Sequence, residues 1–367
     1  MKKILLLGGY GNFGKRIARS IAKQGIGIII AGRNAIAADA LEKALHQEFP
    51  ATPIETACLD ADLELDPALE KLKPYLVINT CGPFQSKQYT VAVACIKHGI
   101  HYIDLADGRD FVTGISQLDK QAQAAGVSII SGASTVPGLS SAVLESYRSQ
   151  FSRLESLTYG ISPGQKADRG LATTEGILSY VGKALAPYKP DQKKRYGWQD
   201  IYQQPYPLLG KRWMANCDVP DLDLFPKHYG IEDIRFSAGM ESSLLHLGIW
   251  CLSWLVRAGL PLNLKRHARW LLRMSHWFDC LGTADGGMHM SLSGQDKHGN
   301  NKTVRWFIIA THGDGPEIPI IPAVILARKI VSGEFSQRGA MPCVGLVNLT
   351  EYLEELKDFR VETYTEQ

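Results

Sequence analysis

Hydrophobic and polar positions follow two regimes along this chain. In the N-terminal part, short, mainly apolar runs alternate with longer stretches whose apolar residues recur every three or four positions. The short runs are Ile4–Leu7, Ile26–Ala31, Ile54–Leu59, Leu76–Asn79, His101–Leu105 and Val127–Ile130. A brief run with no polar face suits a strand covered on both sides, as in a parallel sheet. Between the runs, the spacing predicts helices over Phe13 to Gln24, Ala35 to Phe49, Tyr89 to His98 and Phe111 to Ala125. Gly25, Gly99 and Gly126 stand where helix C-caps favour glycine. Six strands alternating with helices predict an α/β, doubly wound parallel sheet.

From Phe151 the pattern changes. Leu157 to Ser162 reads as a strand and Leu171 to Ala184 as a helix. Tyr188 to Asp223, rich in Pro, Tyr, Trp and charge, reads as a long irregular segment, either covering a substrate site or peripheral. Leu244 to Leu255 is strongly apolar and shorter than the ~20 residues a bilayer span needs. It is expected as a buried helix, with a lipid-facing groove or membrane-surface contact as the alternative. His267, Arg269, Trp270, Arg273, His276 and Trp277 suggest an amphipathic helix with its polar face in water. Met288 to Leu292 and Thr303 to Ala310 are expected strands flanking the turn residues Asp296 to Asn301. They imply an α+β second domain with a mixed or antiparallel sheet. A helix from Ile321 to Val331, ended by Gly333, and a last one at about Leu349 to Leu356 complete the expectation.

Chemistry enters with the turn after the first strand. Gly9-Tyr10-Gly11-Asn12-Phe13-Gly14 has the spacing G-x-G-x-x-G between a strand and a helix. The first glycine permits the tight turn, the second lets backbone approach a pyrophosphate, and the third lets helix pack on strand. Helix N–H groups and dipole then favour the anion. This predicts a Rossmann sheet binding a dinucleotide through Gly9, Gly11, Asn12, Phe13 and Gly14. After the second strand the chain reads Gly32-Arg33-Asn34, where an NAD enzyme usually places an acid for the ribose 2′-hydroxyl. Arg33 can pair with a 2′-phosphate, so Arg33 and Asn34 favour NADP over NAD. Asp60 and Ala61 form an expected lip for the adenine. Cys81, Gly82 and Pro83, beyond the fourth strand, are expected near the nicotinamide ribose.

Composition narrows the class. The 367 residues suit two domains, 45% hydrophobic and 21% charged residues are ordinary for a globular protein, and a net charge of +3 offers no face for nucleic acid. Seven scattered cysteines without a C-x-x-C pair point to free thiols in a reducing compartment, hence the cytoplasm. No H-E-x-x-H or comparable spacing occurs among the ten histidines, so no metal is expected. The expected partners are a small-molecule substrate and a second copy of the chain, in a homodimer.

Four stretches, GGYGNFG, AGRN, NTCGPF and HYIDLADG, together with Pro137-Gly138-Leu139-Ser140, resemble the saccharopine dehydrogenase-like oxidoreductases. The likeness is concentrated in the first 140 or so residues. It implies residues 1–135 as the dinucleotide-binding domain and 136–337 as a substrate and dimerisation domain. Residues 338–367 are expected to return to the first, through Arg338-Gly339-Ala340-Met341-Pro342. Gly313-Asp314-Gly315-Pro316 resembles a family turn, with Ile318 and Pro319 where the family usually has threonines. The implied activity is hydride transfer to or from an imine or secondary amine of an amino-acid conjugate. Reduction of a C=C or C=O bond in an apolar substrate, or NADP sensing without turnover, are the alternatives. Asp107 is the first candidate for handling the proton because it follows the fifth strand; Cys81 and His312 are others. Arg109, Arg169 and Arg305 are candidates for holding substrate carboxylates.

Overall fold

The computed structural model describes residues 2–85 and 87–367. Among the described residues, fourteen strands run in chain order as β1 (Lys3–Leu7), β2 (Gly27–Gly32), β3 (Ile54–Cys58), β4 (Leu76–Asn79), β5 (His101–Asp104), β6 (Ser128–Ser131), β7 (Arg153–Ser162), β8 (Tyr202–Tyr206), β9 (Gly210–Asn216), β10 (Asp233–Met240), β11 (Gly286–Gln295), β12 (Asn301–Ala310), β13 (Gly339–Pro342) and β14 (Val361–Glu366). They divide into two sheets, and the chain into two compact units. One unit is Met1–Ala142 with Glu317–Glu355; the other is Val143–Pro316 with Leu356–Gln367.

The first sheet has the order β13-β6-β5-β4-β1-β2-β3, all parallel. This is the doubly wound order with β13 added at the β6 edge. Its centre is apolar on both faces: Ile4 to Leu7 and Ile28 to Ala31 are essentially sealed from water. Each such side chain contributes roughly 1.5–3 kcal/mol by burial. The helices Asn12–Lys23, Ala35–Glu48 and Thr90–Lys97 follow the expected period. The segment expected as one helix from Phe111 to Ala125 is instead Arg109–Gly114, a 3₁₀ stretch Ile115–Leu118, and Asp119–Ala124. Its middle is bent so that Ile115, Leu118 and Ala122 all reach the core. The helix Leu65–Leu72 lay unread between strands three and four.

The second sheet, in the order β14-β12-β11-β7-β10-β9-β8, is mixed. Only β7 and β10 run parallel; the remaining neighbours are antiparallel. The hairpin β11–β12 turns at Asp296, whose Oδ1 accepts from the His298 and Asn300 N–H groups at 2.8 and 2.9 Å. Two expectations are corrected here. The segment 188–223 is not irregular: it contains the hairpin β8–β9 and enters the helix Asp221–Tyr229. Its aromatic residues conceal a strand alternation in which Tyr206, Met214 and Phe307 share a core. The apolar helix Ser243–Arg257 is not buried all round, since Leu244, Trp254 and Leu255 are exposed. The helix Leu171–Tyr180 is also shorter than expected.

The return to the first unit begins earlier than the final strand suggests. The helix Ile321–Ser332 packs beneath β4 and β5, and Arg16 joins Glu317 in an ion pair at 2.9 Å. β13 then joins β6, and the helix Leu349–Glu355 follows. β14 belongs to the other sheet, against β12.

Candidate active site

The carboxyl edge of the first sheet assembles the predicted nucleotide residues. Gly8, Gly9 and Gly11 are held by backbone bonds, Gly8 and Gly9 N–H donating to the Ala31 carbonyl at 2.9 and 3.2 Å and Gly11 N–H to that of Gly8 at 2.8 Å. At Gly14 a Cβ would lie 2.2 Å from the Gly8 oxygen. No larger residue fits where the helix crosses the turn. Gly11 precedes the helix in an extended conformation, no side chain caps the first turn, and no acid stands in it. Those features suit an anion at the helix start. The Asn12 side chain is engaged by Arg16.

Tyr10 has a role that the glycine spacing does not disclose. Its ring lies so close to Gly32 that a Cβ there would be 2.6 Å from the phenol. Its hydroxyl accepts from the Asn34 N–H at 2.9 Å, while Asn34 Oδ1 accepts from Ala37 N–H at 3.1 Å and caps the next helix. Arg33, between these two clamps, is exposed and makes no ion pair among the described residues. Asp60 is bound into its own turn, its Oδ1 accepting from Asp62 N–H at 3.0 Å, with Ala61 half-buried beside it. The cradle at Gly14 and the projecting guanidinium fit a dinucleotide with a 2′-phosphate.

The loops after β4 and β5 bring Cys81 and Asp107 to the same sheet edge. Cys81 N–H donates to Asn79 Oδ1 at 3.0 Å and its carbonyl accepts from Lys87 Nζ at 3.1 Å. Gly82 and Pro83 follow in a cis peptide. Burial pushes the Cys81 thiol up, away from the reactive thiolate. Asp107 Oδ1 accepts from Gln85 Nε2 at 3.1 Å. Nearby protein shifts its carboxyl upward by desolvation, an effect limited by the exposure of the side chain to water.

Asp104 was missed from sequence because it reads as a strand residue. It is fully buried, and its Oδ1 accepts from Ala106 N–H, Ser131 Oγ and Gly132 N–H at 2.9 to 3.0 Å. Among the described residues its Oδ2 meets no partner in good hydrogen-bond geometry, although the Tyr102 hydroxyl is close enough to favour its charged form, and burial lifts the carboxyl to about 6. Tyr102 lies beside it and accepts from Asn79 Nδ2 at 3.3 Å. Arg109, one of the carboxylate candidates, is buried at the start of its helix on this side of the fold.

The other candidates belong to the second unit. His312 lies after β12 with its N–H donating to Asp285 Oδ1 at 2.8 Å and its ring near Thr311 Oγ1 at 3.1 Å. Arg169 pairs with Asp279 and contacts His276 Nδ1 at 3.0 Å, yet its Nε and Nη1 are buried without partners. Arg305 stands apart in the middle of β12, exposed and 3.6 Å from Glu366.

A further cation, Arg212, lies on β9 inside the segment read as irregular, so no pattern flagged it. Its side chain is only 5% exposed, its nearest carboxylate is Glu241 at 3.5 Å, and its Nη1 has no partner. Glu241 is already occupied: it accepts from Gln165 N–H at 2.7 Å, Thr283 N–H at 2.9 Å and Thr283 Oγ1 at 3.0 Å. Gln165 also donates to Asp279 Oδ1 at 3.0 Å, linking the Arg212 and Arg169 neighbourhoods. Two under-satisfied guanidiniums in one network can take a further anion. No group of His, Cys, Asp and Glu that could hold a metal occurs among the described residues.

Residues 4–130 match the family model of the saccharopine dehydrogenase NADP binding domain. The whole chain superposes on the whole of apo saccharopine dehydrogenase (L-Glu forming) from Saccharomyces cerevisiae, with a TM-score of 0.68 and 14% identity, which establishes a common fold. A short-chain dehydrogenase from Sphingobium yanoikuyae in complex with NADPH is similar over 36% of this chain and 71% of its own, with 17% identity and a TM-score of 0.29. No curated protein matches the sequence.

Proposed function

We propose that this chain, whose residues 4–130 match the saccharopine dehydrogenase NADP binding domain, reduces an imine of an amino-acid conjugate to the secondary amine with NADPH, or oxidises that amine to the imine with NADP+. Arg212 carries this reading over its alternatives. A buried cation with an unpartnered Nη1 suits a substrate that brings its own carboxylate, and Arg169 offers two more unpartnered nitrogens in the same network. In the reductive direction, NADPH supplies a hydride to the imine carbon, and one proton must reach the nitrogen. Asp107 is proposed to handle that proton, since its raised pKa keeps the acid form present at higher pH. Cys81 is a weaker candidate because its buried thiol resists ionisation, and His312 a weaker one because its backbone and ring are engaged by Asp285 and Thr311. Arg33 is proposed to hold the 2′-phosphate.

A second reading, reduction of a C=C or C=O bond in an apolar substrate, is favoured by the apolar outward face of the helix Ser243–Arg257. The deciding experiment follows NADPH absorbance with oxo-acid and amino-acid pairs, enones and ketones. Oxo-acid and amine pairs are expected to support turnover, and Arg212→Met to raise their KM by about 10- to 100-fold, the worth of a charge-assisted bond. Turnover confined to acid-free enones or ketones would move the function to the second reading. The free cysteines, three of them exposed, support a reducing setting such as the cytoplasm. Among the described residues no helix is long and apolar enough to cross a membrane. A homodimer stays within the proposal.

A further inference from the structure

The helix Ser243–Arg257 has no charged residue before its last position. Its inner face, through Ile249, Trp250, Leu252 and Val256, packs on a core around Trp198 and Ala215. Its outer face should then be polar in a water-facing helix. Instead Leu244, Cys251, Trp254 and Leu255 face outward, with Leu244 67% exposed. The following segment, Leu264–Leu281, is a short run of 3₁₀ and α-helix whose Leu264, Ala268 and Leu271 join that same core. Its outward positions 266, 269, 270, 273 and 277 recur at helical spacing and hold Arg266, Arg269, Trp270, Arg273 and Trp277. Trp270 and Trp277 are 59% and 71% exposed, and Leu260, Leu262 and Leu281 add further apolar surface. Single exposed apolar residues are unremarkable, but so many on two neighbouring elements that pack on one core mark an interaction surface.

Charge identifies what covers it. Residues 243–281 contain Arg257, Lys265, Arg266, Arg269 and Arg273 against a single acid, Asp279. Asp279 is already committed to Arg169 and His276. Lys265, Arg266, Arg269 and Arg273 make no ion pair among the described residues. Tryptophan at the surface, leucine beneath it and unpaired Arg or Lys beside both is the chemistry of the bilayer interface. The rings sit at headgroup depth and the cations reach lipid phosphates. A second copy across a two-fold axis would set these cations against their own equivalents.

We propose that residues 243–281 form a docking surface for an anionic phospholipid bilayer, lying on the membrane without crossing it. The proposal rests on this surface alone and holds whichever bond the protein reduces. The test is co-sedimentation of the full chain with vesicles of phosphatidylcholine alone and with vesicles about one-third phosphatidylglycerol, at low and high salt. Binding is expected to be at least about tenfold stronger on the anionic vesicles at low salt and to fall at high salt. The R269E/R273E double variant should lose that preference by about tenfold or more. The W270S/W277S double variant should lose binding and the blue shift of tryptophan emission, while both variants keep wild-type NADPH affinity. Absence of binding, or equal binding to neutral and anionic vesicles, would overturn the proposal. So would a dimer in light scattering that W270S/W277S converts to monomer, because the face would then be covered by a second copy.

Discussion

The proposed role of Arg33 rests on a single position. The residue stands at the end of β2, where an acid would repel a 2′-phosphate, and Tyr10 and Asn34 fix the backbone on which it projects. Arg33→Ala is expected to weaken NADPH binding by about 10- to 100-fold, as loss of a charge-assisted phosphate contact implies. NADH, lacking that phosphate, should change by less than about threefold, and fluorescence titration of both cofactors checks the difference. Equal losses would reject Arg33 as the phosphate contact. The place of Arg33, directly after β2, was legible because its position relative to a glycine fingerprint is prescribed by the fold. Asp104 and Arg212 were not, because nothing in a strand-like stretch announces that one carboxyl oxygen or one guanidinium nitrogen will be left without a partner in good hydrogen-bond geometry.

At the scale of elements, the strongly periodic parts were read well and the short aromatic strands were not. β4 occupies the residues expected, and the helix Ile321–Ser332 nearly so. β8 and β9 were hidden by Pro205 and by a run of tyrosine and charge that resembles a loop. Pro205 is tolerated because β8 is the edge strand. The opposite edge, β14, was also unread, since Val361 to Glu366 is polar and mostly exposed. It nonetheless covers β12 from Arg305 to Ala310, and Thr311 N–H donates to the Arg360 carbonyl at 3.0 Å. Deleting residues 357–367 is therefore expected to lower the urea midpoint of the second unit and promote aggregation through the bared edge. Unchanged urea and light-scattering profiles would show that β14 is dispensable.

For the molecule as a whole, buried titratable groups set how stability responds to acid. Burial lowers His101 and His246 to about 4 and His289 to about 3, from an ordinary value of 6.5. The unfolded chain binds these protons first, so stability is lost as pH falls from about 6.5 towards 4, by on the order of 3 kcal/mol for each histidine. Asp104 acts in the opposite sense. Its carboxyl is raised from 3.8 to about 6, so the folded chain holds the extra proton and stability increases as pH falls through that interval, by roughly 3 kcal/mol. The three histidines outweigh the one carboxyl, and urea midpoints should fall between pH 6.5 and 4. Asp104→Asn should steepen that fall; a slope unchanged by the substitution would mean that Asp104 does not titrate there.

Sequence alone determined the class of the first sheet, its six leading parallel strands with most of their intervening helices, and the expectation of NADP. Each of these follows from local rules: a period of two or 3.6, a glycine where a Cβ cannot fit, a charge opposite a charge. Only the tertiary structure decided which side of the helix Ser243–Arg257 meets water, which strands close the second sheet, and which buried polar atoms lack partners. Those outcomes depend on neighbours distant in the chain. An all-apolar helix has no polar stripe to show its outward face, and a buried arginine is satisfied or left wanting by residues that folding alone brings beside it.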